Sequence, residues 1–317
     1  MNDKMIKNIL PQVQFKVPLA PFTTFGLGGA ARWFIEVKTS QELVEVMARV
    51  KKNKIPYYIF AGGSNMVFPD KAPQKLFICF RASRLNKNNH ELKGNNIEIG
   101  AELSLASLIT LSLKNDLQGL ESLSGIPGTV GGAVVGNAGA YGQSISDHLE
   151  KVLIWDGQKT KWLTRKEGRF AYRTSIFKEK DWLVLRVRFS LNKGDRKELI
   201  KKSRQIIRIR GQKYTPGLKC PGSFFKNVLV KDVSKEVLKN IPSDKIIEGK
   251  IPAGFLLEEV GAKGSSVGQI YVPDFHGNLL INKGGGKTAD VVKLAHKLKA
   301  KVKAKFNITL EEEVRLV

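Results

Sequence analysis

Residues 125–133 read Gly125-Ile126-Pro127-Gly128-Thr129-Val130-Gly131-Gly132-Ala133 and run on to Asn137-Ala138-Gly139-Ala140-Tyr141-Gly142. A shorter glycine loop lies upstream, Ala61-Gly62-Gly63-Ser64-Asn65, directly after the apolar run Tyr57-Tyr58-Ile59-Phe60. Glycine lets backbone N–H groups converge on an anion with no Cβ in the way, and it tolerates positive φ. Neither loop has the dinucleotide spacing G-x-G-x-x-G or the P-loop spacing G-x-x-x-x-G-K-[ST], so neither a Rossmann domain nor an NTPase is indicated. Two separate loops of this kind point to one diphosphate-bearing nucleotide cofactor laid between two small α+β halves.

Working outward, Ala31 to Val37 predicts a strand and Gln41 to Lys52 an amphipathic helix capped by Ser40. Tyr57 to Ala61 predicts the strand that feeds the first loop. Further strands are expected at Leu76 to Phe80 and Ile97 to Gly100, a helix from about Ser104 to Lys114, and a hairpin from Val152 through Asp156-Gly157 to Trp162. Trp182 to Leu191 alternates as a half-buried strand. A basic helix from about Lys197 to Arg210 is expected to end at Gly211, with Tyr214-Thr215-Pro216-Gly217 as linker. Beyond it come a helix around Gly254 to Val260, strands near Gln269 to Val272 and Leu279 to Asn282, a lysine-rich helix capped by Thr288, and a strand from Thr309 to Val317. The expected division is 1–70, 71–211 and 212–317.

The chain has 317 residues, enough for two or three domains. Cys79 and Cys220 form no C-x-x-C pair and the four histidines are scattered, so neither a disulfide framework nor a metal site is expected. No stretch approaches the roughly 20 apolar residues of a membrane span, and the N-terminus lacks a signal-like apolar core. A cytoplasmic protein is expected. The net charge of +24 raises the question of nucleic acid. From Lys293 to Lys305, however, Leu294, Leu298, Val302 and Phe306 make one apolar stripe, which is the pattern of a docked helix with a solvated lysine face. No aromatics interleave with these lysines as base-stacking platforms. A positive field equally suits small anionic ligands.

With these pieces in order, the chain closely resembles the UDP-N-acetylenolpyruvoylglucosamine reductase (MurB) family. The resemblance rests on Thr23-Thr24-Phe25-Gly26-Leu27-Gly28-Gly29, the two glycine loops, Tyr172-Arg173-Thr174-Ser175, Gly222-Ser223-Phe224-Phe225-Lys226-Asn227, Ala253-Gly254-Phe255-Leu256 and Leu310-Glu311-Glu312-Glu313-Val314-Arg315. It implies an α+β protein: an FAD-binding fold of the vanillyl-alcohol-oxidase type in two subdomains, followed by a C-terminal α+β substrate domain. It also implies non-covalent FAD as cofactor and NADPH as co-substrate. The implied reaction converts UDP-N-acetylglucosamine enolpyruvate to UDP-N-acetylmuramate in peptidoglycan precursor synthesis. A monomer with no nucleic-acid partner and no membrane insertion is expected.

The resemblance assigns the diphosphate of FAD to Ala61, Gly62, Gly63, Ser64 and Asn65 and to Ile126, Pro127, Gly128, Thr129, Gly131 and Gly132. Hydride addition beside a carboxylate builds enolate-like charge, so the chemistry needs a cation at the carboxylate and an acid at carbon. Arg173 matches the family's arginine, Ser223 its proton donor and Glu313 its acidic residue near the enolate. Without the motif, Arg173 reads as a surface arginine, Ser223 as a turn serine, and Glu311 to Glu313 as a solvated charge run. Strand alternation places Glu311, Glu313 and Arg315 on one face, which favours Glu313 over Glu312. Tyr141, Asn227, Glu259 and Arg315 are carried as substrate-binding residues, although a helix-face carboxylate is the plainer reading of Glu259.

Ser223 follows Arg173 by 50 positions, which resembles the shorter subtype lacking a tyrosine-bearing insertion. The substrate diphosphate then falls to candidates Lys213, Lys219 and Lys226. The segment Tyr214 to Pro221 also departs from the commoner Gln-Pro form. Cys220 has no histidine nearby in sequence to activate it, and Gly284-Gly285-Gly286-Lys287-Thr288 fails as a P-loop because Ile281 holds the first glycine position. Two other readings stand beside the reductase. An oxidase of the same superfamily leaves the Gly222 to Asn227 segment and Glu313 without a role. A basic nucleic-acid-binding protein leaves the glycine loops unused.

Overall fold

The computed structural model of the chain describes residues 1–82, 89–215 and 217–317. Pro216, in the expected linker, lies outside the described residues. Two compact units emerge, and neither is one continuous run of chain: Met1–Val17, Ala31–Gly62 and Gln74–Gly211 form the first, and Pro18–Ala30, Gly63–Pro73 and Gln212–Val317 the second.

The first unit carries two sheets. One orders its strands as β1 (Gln14–Pro18), β2 (Ala30–Val37), β4 (Leu76–Phe80) and β3 (Tyr57–Phe60). β4 pairs in parallel with both β2 and β3. It is buried at all five positions, as an unbroken apolar run in a central parallel strand should be. The other sheet is antiparallel, ordered β8 (Thr160–Thr164), β7 (Leu149–Trp155), β9 (Leu183–Ser190), β6 (Asn96–Gly100) and β5 (His90–Lys93). The sequence-based boundary at 70/71 therefore cuts through a sheet. Pairing of β4 between strands of the preceding segment is non-local and leaves no mark on local periodicity.

Helix α1 (Ser40–Lys52) buries Leu43, Val46, Met47 and Val50. Its cap is Thr39, whose Oγ1 accepts from the Glu42 N–H at 3.1 Å, not the expected Ser40. Ser40 Oγ instead donates to the Leu185 carbonyl at 2.9 Å and ties the helix to β9. Helix α2 (Leu105–Lys114) is capped by Ser104. The second glycine stretch is not all loop: α3 (Val130–Gly136) begins inside it with Thr129 as cap, and Asn137 closes it in the left-handed conformation. Helix α4 (Arg196–Lys213) runs past Gly211, the expected stop, because nothing there forces a left-handed turn.

In the second unit, Phe224, Phe225, Leu256, Leu257 and Leu280 share a core with α6 (Thr288–Phe306). Leu294, Leu298, Val302 and Phe306 are buried as their spacing predicts, and each such side chain contributes roughly 1.5–3 kcal/mol. Lys287 holds the cap position of α6; Thr288 lies one residue inside and its Oγ1 donates to the Phe68 carbonyl at 2.7 Å. Helix α5 (Ala253–Glu259) precedes α6 in chain order. The expected closing strand shrinks to Arg315–Leu316, paired in parallel with Met66–Val67, and a bridge between Phe225 and Glu312. The N–H groups of Glu313 and Val314 both reach the Phe224 carbonyl, at 2.8 and 3.4 Å, and this doubled contact interrupts strict alternation.

Candidate active site

The two glycine stretches meet within the first unit at one point. A Cβ on Gly62 would lie 2.8 Å from the Gly128 Cα, so this approach requires glycine. Gly131 is equally constrained, because its Cβ would sit 2.9 Å from the Ala101 Cβ. The N–H groups of Val130, Gly131 and Gly132 are engaged internally, with the Leu103 carbonyl (2.8 Å), the Ala101 carbonyl (2.9 Å) and Thr129 Oγ1 (3.1 Å). Gly131 and Gly132 are thus not open backbone donors, contrary to the expectation from glycine content. Among the described residues, no acceptor is placed on the N–H of Gly62, Gly128 or Thr129. These donors stand beside a backbone cleared of side chains, and a phosphate-bearing cofactor fits that chemistry.

Arg173 sits at φ +57°, a left-handed conformation that arginine adopts only under constraint. Three contacts hold its turn. Asn137 Nδ2 donates to the Ala171 carbonyl at 2.9 Å, Ser175 Oγ donates to the Val135 carbonyl at 2.8 Å, and Lys178 Nζ donates to the Arg173 carbonyl at 2.6 Å. Arg173 Nη1 in turn donates to the Gly139 carbonyl at 3.0 Å. Gly139 begins a two-residue hairpin to Gln143–Ser144 whose turn is Tyr141 (φ +52°) and Gly142 (φ +76°). Positive φ at both central positions gives the mirror-image turn that suits hairpins. Tyr141 at its tip is an exposed large side chain. Arg173 and Tyr141, assigned separately from sequence, are therefore connected through one short hairpin.

In the second unit, Ser223 follows Gly222, whose φ of +89° favours glycine. Ser223 bridges Leu279, and Phe224 N donates to the Asn278 carbonyl at 3.0 Å. Asn278 then clamps Phe225 through both amide groups. The Ser223 hydroxyl has two neighbours that sequence reasoning did not connect with it: Tyr214 Oη at 3.2 Å and Lys213 Nζ at 3.5 Å. Lys213 reaches it because α4 continues to residue 213. Burial pushes the nearby Cys220 thiol above its usual pKa, which fits an inert thiol.

Of the remaining residues, Asn227 Oδ1 accepts the Ala253 N–H at 3.1 Å and so caps α5 from outside. Glu313 is half-buried, and its carbonyl accepts Asn65 Nδ2 at 3.0 Å. Glu311 and Glu312 pair with Lys226 and Lys299, both at 2.9 Å. Lys226 is thereby partly neutralised. Arg315 is exposed, and its N–H donates to the Asn65 carbonyl at 3.1 Å. Glu259 pairs with Lys305 at 3.0 Å, which makes it a helix-face ion pair. A depression of about 580 Å³, lined by Lys51, Lys54, Tyr57, Lys75 and Asp181 among others, contains none of the motif residues.

The family profile described as UDP-N-acetylenolpyruvoylglucosamine reductase, C-terminal domain, matches residues 213–317, and an FAD binding domain profile matches residues 31–162. A relative from Solibacter usitatus with that reductase name is 36% identical over 306 residues, covering 96% of each chain. The chain belongs to the UDP-N-acetylenolpyruvoylglucosamine reductase family. Another family member, from Carboxydothermus hydrogenoformans, is 34% identical over 318 residues, covering 100% of this chain and 98% of its own. The crystal structure of the reductase from Thermus caldophilus superimposes with a TM-score of 0.74 at 30% identity, covering 96% of this chain and 98% of that one. An α+β fold with an FAD-binding part and an appended C-terminal domain is thus the family architecture, as the motifs imply.

Proposed function

We infer that the protein is an NADPH-dependent flavoenzyme that reduces UDP-N-acetylglucosamine enolpyruvate to UDP-N-acetylmuramate, a step of peptidoglycan precursor synthesis. The full-length match to reductases of that name carries this reading. FAD, when held by these loops, would supply hydride chemistry between NADPH and the enolpyruvyl carbon. The protein is proposed to act as a cytoplasmic monomer; among the described residues no helix is long and apolar enough to cross a membrane.

The loop Ala61 to Asn65 and the segment Ile126 to Gly132 are proposed to hold FAD. Gly62, Gly128 and Thr129 would do so through N–H donors, and Ile126, Pro127, Gly131 and Gly132 through close approach. Arg173 stabilises the enolate-like charge on the substrate carboxylate, since guanidinium stays protonated and binds carboxylate in a bidentate manner. Ser223 donates the proton to carbon, and Glu313 assists at the enolate. Tyr141, Asn227 and Arg315 bind substrate, with Lys219 as a cation for its diphosphate, since Lys213 stands at the Ser223 hydroxyl. Glu259 is the weakest of the substrate assignments, because its carboxylate is already paired with Lys305.

The test is anaerobic. NADPH should bleach the flavin of the purified protein, and only the enolpyruvyl sugar nucleotide should restore its colour rapidly. Rapid restoration by unrelated acceptors, or a protein that purifies without flavin and cannot be reconstituted, would overturn the assignment.

A further inference from the structure

The hydroxyl of Ser223 stands in a small, built cluster. Tyr214 Oη lies 3.2 Å from it, so either hydroxyl can donate to the other. Lys213 Nζ lies 3.5 Å from the same oxygen and 5.2 Å from the centroid of the Tyr214 ring. All three side chains are half-buried. The Tyr214 ring packs against the buried group Cys220, Leu279 and Ile281. Ser223 bridges Leu279 along the backbone, so both hydroxyl-bearing residues are held against this one buried group.

A serine hydroxyl is a poor acid, and the alkoxide it leaves is far more basic than a phenolate, whose parent phenol has a pKa of roughly 10. Proton transfer from a phenol to that alkoxide is strongly downhill. A phenolate at Tyr214 would stand beside the Lys213 ammonium, where opposite charges favour it.

We propose that Tyr214 is a positioning residue that reprotonates Ser223 during the substrate half-reaction; this rests on the reading of Ser223 as proton donor. As the new C–H bond forms, the Ser223 O–H bond breaks and its electron pair stays on Oγ. In the same transition state Oγ takes the proton of Tyr214 as the phenolic O–H bond breaks. The phenolate regains a proton from water, and no electron leaves or enters the cluster.

The experiment uses the full-length holoenzyme, reduced by NADPH and mixed anaerobically with the enolpyruvyl sugar nucleotide in H2O/D2O mixtures. Tyr214→Phe keeps the ring in its apolar cluster. It should leave flavin reduction unchanged and slow reoxidation by about 10²-fold, the low end for a positioned acid. Its rate should fall linearly with deuterium fraction, against a curved dependence in the parent, where two protons move. A Tyr214→Phe variant with parental reoxidation and a parental deuterium profile overturns the relay, as does equal slowing of both half-reactions. Ser223→Ala, run alongside, separates the two readings: if it reoxidises at the parental rate, Ser223 is not the donor and the relay falls with it. If Ser223→Ala is crippled while Tyr214→Phe behaves as the parent, only the relay falls.

Discussion

Arg173 donates its guanidinium to the carbonyl of Gly139 at 3.0 Å while its own backbone stands at φ +57°. An L-residue in that conformation carries roughly 1–2 kcal/mol of strain, which glycine escapes. Arg173→Gly is therefore expected to be more stable than Arg173→Ala by about 1 kcal/mol. Both should slow flavin reoxidation by substrate by roughly 10²–10³-fold, the effect of losing a preorganised charge, with flavin reduction unchanged. Denaturant midpoints and single-turnover rates check the two halves independently. Alanine equalling glycine in stability would remove the strain, and equal slowing of both half-reactions would remove the catalytic role.

Replacing glycines in the cradle should separate packing from binding. A Cβ on Gly62 meets the Gly128 backbone at 2.8 Å, whereas one on Gly132 meets only Thr129 Oγ1, at 3.4 Å. Gly62→Ala is expected to lose about 1–3 kcal/mol through overpacking and to purify with less flavin. Gly132→Ala should match or exceed parental stability, because alanine favours a helix by up to about 1 kcal/mol. Its flavin content should nevertheless fall if the face of α3 lies against the cofactor. The ratio of visible to protein absorbance, read beside a thermal melt, measures both.

Glu312 and Glu313 should differ sharply on neutralisation. Glu312 already pairs with Lys299, both about a quarter exposed, so Glu312→Gln should cost no more than about 1 kcal/mol and leave both half-reactions intact. Glu313→Gln should slow reoxidation alone. Equal kinetic damage from the two variants would show that the interrupted pairing at Phe224 assigns the wrong carboxylate.

His276 supplies a pH test. Burial, reinforced by the charge of Lys213 and opposed by Glu258, lowers its pKa from 6.5 to about 4. Its Nδ1 also accepts the Asn278 N–H at 3.0 Å. The folded protein keeps this imidazole neutral while the unfolded chain protonates it first, so stability from this site is full above 6.5 and declines as pH falls toward 4. Between about pH 7 and about pH 5, the parent's urea midpoint should therefore drop further than that of His276→Gln. Parallel declines in the two proteins would exclude a neutral buried His276.

Much of this was legible in the residues. The stripe of α6 and the hairpin through Asp156-Gly157 follow from short-range periodicity and turn chemistry, and the motif order named the family. What escaped was non-local. Nothing in Leu76-Phe77-Ile78-Cys79-Phe80 says that it inserts between two earlier strands. Nothing in Gly131-Gly132 distinguishes a glycine that offers its N–H from one that only lets Ala101 approach. The caps lie one residue before the expected positions, Thr39 for Ser40 and Lys287 for Thr288, because adjacent polar residues compete for a position that only geometry awards. Tyr214 carries no signal of its own in the sequence because its segment reads as linker; its tie to Ser223 depends on a helix that continues through the glycine at 211.

The contact between Gly62 and Gly128 also bears on how this sequence can change over generations. Gly62 lies just after one strand and Gly128 just before a helix, far apart in the gene, yet any side chain at Gly62 collides with the backbone of its counterpart. No enlargement at Gly128 can compensate for one at Gly62, since the obstacle is main chain rather than side chain. Mutational drift at Gly62 therefore has no stepwise escape route, and lineages that keep this cradle are expected to inherit that glycine unaltered while the residues around it diverge.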